Sequence, residues 1–217
     1  MNASLFSDDI VEINLPQAKL IFIEHFFKKE EADALLSDLT ENIHWEQGEI
    51  MMFGKKVLEP RLTAWYGDEG KEYTYSGKKQ TPLAWTDTLK GIKNKIETDC
   101  EKLTPPQSRE VRDVPYNPVF NSVLLNYYRN GQDSMGWHSD DEKELGLNPT
   151  IASLNLGESR RFLIRNKADK NLKKEILLTH GSLLIMTDEM QHYWQHAVPK
   201  EPKKQQPRIN LTFRWIV

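Results

Sequence analysis

Trp137-His138-Ser139-Asp140 sets an imidazole and a carboxylate two residues apart. On extended chain, residues i and i+2 project from the same face, so these two side chains can grip one ion together. A third donor must come from elsewhere, and the downstream candidates are His180, His192 and His196. His180, in THGSLLIM, stands at the mouth of an apolar strand, where a turn histidine is the ordinary reading. His192 and His196 have the spacing of a helical zinc pair, but Pro199 and the aromatic composition of MQHYWQHAVP argue against a helix spanning both. His196 is the preferred third ligand. Two histidines and one carboxylate, with the other coordination positions open, make the facial arrangement suited to non-haem Fe(II) and oxygen chemistry.

A lone His-x-Asp pair is common on surfaces, and the terminal strand is what strengthens it. In Arg208-Ile209-Asn210-Leu211-Thr212-Phe213-Arg214, alternation puts Ile209, Leu211 and Phe213 on one side and Arg208, Asn210, Thr212 and Arg214 on the other. Two guanidiniums with an amide and a hydroxyl between them form a receptor for carboxylates, since arginine presents a planar fork that matches a carboxylate bidentately. Asn126 and Tyr128 in LLNYY likewise share a face, opposite Leu125 and Tyr127. A dicarboxylate would be held well by such a set.

These residues need a scaffold, and 217 residues with 38% hydrophobic content can bury one large core. Residues 10–15 and 19–24 read as strands; Ala32, Leu35, Leu36, Leu39 and Ile43 then recur at helical spacing. Trp85, Leu89, Ile92 and Ile96, after Pro82, signal a second helix, with Cys100 in phase as a small core residue. From about residue 115 onward, short apolar runs separated by Gly, Asn, Asp and Pro predict an antiparallel sandwich or jelly roll. The expected class is α+β. Residues 1–44 would supply strands and a helix supporting the core, 45–82 a hairpin lid, 83–104 the second helix and 105–217 the jelly roll, all in one globular unit and a monomer. A single cysteine excludes an internal disulfide. The opening MNASLFSDDIVEINLP lacks the basic start of a secretory signal, and no apolar run nears the ~20 residues needed to cross a bilayer. The expectation is a soluble protein with no membrane partner, cytoplasmic in a bacterium or nuclear in a eukaryote.

The run Phe120–Tyr128, the His138-x-Asp140 pair, His196 and above all RINLTFR resemble the AlkB-type Fe(II)/2-oxoglutarate dioxygenases, closest to their DNA-repair members. The likeness reaches back through FGKK, PRLTAWYGDEG and YTYSG, so it covers roughly residues 45–217. It implies a double-stranded β-helix (jelly-roll) core in which His138, Asp140 and His196 bind Fe(II). Arg208 would hold the distal carboxylate of 2-oxoglutarate, with Asn126, Tyr128, Asn210, Thr212 and Arg214 completing that pocket. The implied reaction consumes 2-oxoglutarate and O2, yields succinate and CO2, and hydroxylates an N-methyl group that leaves as formaldehyde. The implied partner is alkylated DNA, single- or double-stranded, with RNA or protein as alternative substrates. A methylated base inside a duplex must be flipped out to reach a buried metal. The resemblance makes 45–82 a nucleotide-recognition lid in which Tyr75, with Tyr73 beside it, stacks on that base. Asp141 and Glu142 would meet its polar edge, favouring cationic lesions such as 1-methyladenine and 3-methylcytosine. Phe53 matches a wedge that fills the vacated stack.

The chain departs from the repair members at Lys200-Glu201-Pro202-Lys203-Lys204, where an acid and a proline dilute their basic cluster. The net charge of -3 is nonetheless an average over unlike parts. Residues 160–174 carry seven basic side chains against Asp169, and 198–208 carry four against Glu201, so a phosphate-tracking surface is expected there. The alternative from a different class is a non-catalytic nucleic-acid-binding module whose metal is structural.

Overall fold

The computed structural model describes residues 9–52, 54–71, 73–75, 78–102 and 119–217; of these, the side chains of 51, 52, 73–75, 78–80 and 102 are outside the description. The chain opens with a hairpin, β1 (Ile10–Leu15) and β2 (Ala18–Ile23), followed by α1 (Lys29–Asn42). Glu31 starts that helix by accepting a hydrogen bond from the Lys28 N–H at 3.2 Å, which satisfies a donor that the first turn leaves over. Next come the hairpin β3 (Glu49–Met52) and β4 (Lys55–Leu58), then β5 (Leu62–Gly67), the hairpin β6 (Tyr73–Tyr75) and β7 (Lys78–Gln80), β8 (Leu83–Ala84) and α2 (Asp87–Lys102). The C-terminal half is strands: β9 (Ser122–Tyr128), β10 (Met135–His138), β11 (Ile151–Gly157), β12 (Arg160–Asn166), β13 (Lys173–Leu178) and β14 (Leu183–Asp188). One helical turn, α3 (Met190–Tyr193), then leads into β15 (Trp194–Val198), and β16 (Arg208–Arg214) follows.

Two sheets face each other in a jelly roll. The larger has the order β1-β2-β14-β11-β16-β9-β5-β8 and the smaller β10-β15-β12-β13. The larger sheet is covered on both sides, so its central strands carry side chains for two cores. Ile209, Leu211 and Phe213 of β16, with Val123 and Leu125 of β9, pack against Ala32 and Leu39 of α1 and Leu89, Ile92 and Ile96 of α2. On the inner side, Leu184 and Met186 of β14 meet Phe162 and Ile164 of β12 and Trp194 and Val198 of β15. All seven residues of β16 are buried, so its polar alternation faces the space between the sheets and not solvent.

One boundary drawn from sequence needs correction. β1 and β2, expected to support the core, lie alongside it by extending its larger sheet through β2–β14 pairing. β5 falls within the segment expected to be a lid, yet it pairs with β9 along its whole length and buries Ala64 and Tyr66. The aromatic, turn-rich composition of 45–82 hid this short alternating run. The two hairpins β3–β4 and β6–β7 are what that segment adds outside the sheets.

Cys100 lies on the buried face of α2, 1% exposed. Burial, then the carboxylates of Asp99 and Glu97, push its thiol up to about 12. At pH 8 the thiolate that reacts is then a fraction of ~1 in 10⁴. Iodoacetamide is expected to leave native protein unlabelled and to label it stoichiometrically after unfolding in guanidinium. Fast labelling of native protein would mean that α2 opens from the core.

Candidate metal and cosubstrate site

The last residue of β10, His138, lies directly across from His196 of β15 in the antiparallel register, with a pairing irregularity between Met135 and His138. Their rings are 4.2 Å apart between centroids. Asp140 follows two residues on, and its Oδ2 stands 3.6 Å from His196 Nε2. One ligand-capable atom from each of the three residues lies within 4.8 Å of the others. The sequence spacing thus closes into a cluster only because β10 and β15 are neighbours.

Each member is held from behind. His138 Nδ1 is 2.9 Å from the Gly136 carbonyl, which can only accept, so Nδ1 carries a proton and Nε2 is the nitrogen left to serve as a ligand. Phe162 stacks on His196 at 5.1 Å. Asp140 N–H donates to Gln191 Oε1 at 3.0 Å, while Asp140 Oδ1 accepts from Arg214 Nη2 at 2.5 Å. Burial alone would raise the Asp140 pKa, but the Arg214 guanidinium, then His196 and His138, overcome it and hold the carboxyl below its ordinary range. Burial and the neighbouring His138 draw His196 down to about 3, so its ring is neutral at physiological pH. Neutral imidazole and ionised carboxylate are the protonation states that bind a metal. His196 Nδ1 is buried with no hydrogen-bond partner. Two imidazoles and one carboxylate on one side of a cavity fit Fe(II) with positions left open.

That cavity spans about 710 Å³, the open solvent at its mouth included. Its rear wall is the polar side of β16 and β9: Asn210, Thr212 and Arg214 with Leu124, Asn126 and Tyr128. Asn210 Nδ2 donates to Ser153 Oγ at 2.8 Å, and Thr212 Oγ1 donates to Asn210 Oδ1 at 3.1 Å. Arg208 is 1% exposed beneath this wall, with its guanidinium carbon 5.0 Å from the Tyr128 ring centroid. Its Nη2 donates to Asn155 Oδ1, but Nε and Nη1 are buried without acceptors. Burial, foremost, lowers its pKa to about 10. A buried guanidinium with two open donors is costly unless an anion completes it, and a carboxylate would do so.

A family model described as "2OG-Fe(II) oxygenase superfamily" matches residues 19–214. Human alpha-ketoglutarate-dependent dioxygenase alkB homolog 3 is 39% identical over 200 residues, covering 88% of this chain and 64% of the human protein. Mouse DNA oxidative demethylase ALKBH2 is 34% identical over 201 residues, covering 88% of this chain and 77% of the mouse protein. The chain belongs to the AlkB-type 2OG-Fe(II) oxygenases. It spans less than two thirds of the length of the human relative. The solved structure of OsALKBH1, 18% identical, superposes with a TM-score of 0.64 over 94% of this chain and 100% of that one, so the two share a fold.

Within this AlkB-type cavity the expected substrate residues are divided. Glu142 lines the wall, and its Oε2 is buried without a hydrogen-bond partner. Asp141, expected beside it, points away: it is exposed and ion-paired with Lys167 at 3.0 Å. Tyr73 and Tyr75 are both in β6, paired with Gln80 and Lys78, and their side chains are outside the description. Phe53 lies outside the described residues.

Several site residues carry no sequence signal. Arg61 and Glu59 form a buried ion pair at 3.3 Å, and Arg61 lines the cavity. Arg61 Nε also donates to Asn126 Oδ1 at 2.8 Å, which fixes the amide of this cavity-lining residue. Gln191 and Asn155 orient Asp140 and Arg208 from buried positions. The basic windows need correction too. Arg160 and Arg208 are buried, Arg161 pairs with Glu175 and Glu201, Lys167 with Asp141 and Lys204 with Glu158. Lys170, Lys173, Lys174, Lys200 and Lys203, with the ion-paired Arg161, are the exposed cations of those windows.

Proposed function

We propose that this chain is an Fe(II)- and 2-oxoglutarate-dependent dioxygenase that oxidatively removes N-methyl groups from nucleobases of alkylated DNA. What carries the reading is a triad of two imidazoles and one carboxylate at one wall of a cavity, with a buried arginine beneath it that has two open donors. In this reading His138, Asp140 and His196 hold the metal, and Arg208 takes the distal carboxylate of 2-oxoglutarate beside Tyr128. Asn126, its amide fixed by Arg61, serves the near end together with Asn210, Thr212 and Arg214. Iron and 2-oxoglutarate, when bound, supply the oxidation by O2 that releases the methyl carbon as formaldehyde.

The substrate side rests on Glu142. A carboxylate with an open, buried oxygen favours a cationic base, and 1-methyladenine and 3-methylcytosine carry that charge. The printed name of the mouse relative, DNA oxidative demethylase, supports DNA as the substrate class. Tyr73 and Tyr75 would stack on the flipped base and Phe53 would replace it. The exposed lysines at 170, 173, 174, 200 and 203 would follow the phosphates.

Purified protein given Fe(II), 2-oxoglutarate and air is expected to release formaldehyde from a 1-methyladenine or 3-methylcytosine oligonucleotide, with equimolar succinate. Glu142→Gln is expected to lower turnover of these cationic bases more than that of neutral 1-methylguanine. Turnover of methylated RNA or protein with none of methylated DNA would overturn the substrate and leave the oxygenase. DNA binding without succinate, and no visible charge-transfer band on anaerobic addition of Fe(II) and 2-oxoglutarate, would overturn both in favour of a binding module.

A further inference from the structure

Arg160 opens β12, a strand on which arginines at alternate positions would ordinarily face water. It is 1% exposed. Its guanidinium donates to three main-chain carbonyls from two loops: Asp133 at 2.9 Å, Pro199 at 2.6 Å and Asn130 at 3.4 Å. Carbonyls cancel no charge. The carboxylate that does so is Glu201, at 3.1 Å from Arg160 Nε, and it is shared with Arg161, whose N–H donates to the same oxygen at 3.1 Å.

The two loops are locked together by their backbones. Gly131 N–H donates to Lys204 O at 2.9 Å, and Glu201 N–H donates to Gly131 O at 2.8 Å. A Cβ on Gly131 would sit 1.8 Å from Glu201 O, so glycine is required for this approach. Glu201 is therefore fixed in place. Beyond the clasp, the Arg160 guanidinium carbon lies 5.6 Å from the centroid of the Tyr128 ring, the ring that Arg208 approaches at 5.0 Å. Two buried guanidiniums thus share one phenol. Arg160 has Glu201; Arg208 makes no carboxylate ion pair among the described residues. Arg208 thus lies beside an ion pair whose two charges act on it with opposite sign. The protonation of Arg208 responds to both: after burial and the Tyr128 phenol, Arg160 lowers its pKa and Glu201 raises it.

We propose that Arg160 and Glu201 are positioning residues that set the charge behind the cosubstrate pocket, Arg160 strengthening and Glu201 weakening the hold of Arg208 on a dicarboxylate. The proposal rests on Arg208 being the carboxylate receptor. Neither residue touches the ligand; both act across the Tyr128 ring, in a dry region where salt screens little. A unit charge ~10 Å away at an effective dielectric of ~20 changes an affinity by about tenfold.

The test is the dissociation constant of 2-oxoglutarate for Mn(II)-loaded full-length protein, measured calorimetrically without turnover. Glu201→Gln is expected to bind severalfold to tenfold more tightly, since Arg160 keeps its three carbonyls and the fold keeps its clasp. Arg160→Met is expected to bind about tenfold more weakly, with Arg160→Lys intermediate. A purely structural staple would make every one of these variants bind more weakly, and that result, or no change in Glu201→Gln, overturns the proposal. Should Arg160→Met fail to fold, the sign of Glu201→Gln decides by itself. Arg208→Met separates the two levels. If it leaves binding intact, the cosubstrate pocket has been misplaced; if it abolishes binding while Glu201→Gln changes nothing, the pocket stands and the charge-setting pair falls.

Discussion

Asp140→Ala is expected to abolish demethylation and to destabilise the fold, whereas His138→Ala abolishes demethylation and leaves stability nearly unchanged. Both variants remove one of the residues that close the triad, so iron-dependent formaldehyde release should fall to background in each. The difference lies behind the metal. Asp140 and Arg214 are 4% and 8% exposed and joined by a charge-assisted hydrogen bond, so removing the acid takes a charged partner from a buried guanidinium. Breaking a buried pair from one side costs about 3–5 kcal/mol. His138 is half-buried, and the hydrogen bond lost with its ring is one to a local carbonyl. Thermal melts of metal-free protein separate the two effects, since no ion then contributes. Asp140→Asn should fall between them, keeping shape and losing charge. Equal melting of the two alanine variants would show that Arg214 does not depend on Asp140.

The features legible in the sequence are those whose geometry is local. His138 and Asp140 share a side because extended chain repeats every two residues, and β16 alternates apolar and polar because one face meets helices and the other a cavity. Helical spacing placed Leu89, Ile92, Ile96 and Cys100 on one buried face for the same reason. Residues whose environment is made by distant chain were not legible. Arg61 and Asn126 are 65 positions apart, and Arg160 reads as one more surface cation until loops 27 to 41 positions away enclose it. The charge windows failed in the same way. Counting charges along the chain cannot distinguish Lys173, which faces water, from Arg208, which is buried next to the cavity.

Arg208→Met is expected to weaken 2-oxoglutarate binding by at least ~100-fold, the loss of a desolvated bidentate carboxylate contact, while the metal-free protein melts no lower than the parent. The two expectations come from one observation. Arg208 carries a buried charge whose Nε and Nη1 have no acceptors and whose hydrogen bond from Nη2 goes to a neutral amide, Asn155. In the unliganded protein that charge opposes folding, because its desolvation is answered within the protein by the neutral Asn155 amide and the ring and hydroxyl of Tyr128. Methionine fills similar volume without charge, and replacing a buried charge by a packed apolar chain is often neutral or stabilising. The loss of the bond to Asn155, about 1 kcal/mol, sets the scale of any offset. Adding saturating 2-oxoglutarate and Mn(II) should then raise the parent's melting temperature well above that of the variant, since a ligand stabilises only the state that binds it. A metal-free variant that melts several degrees below the parent would show instead that Arg208 is satisfied within the protein, and a carboxylate receptor would have to be sought among the other polar residues of the cavity wall.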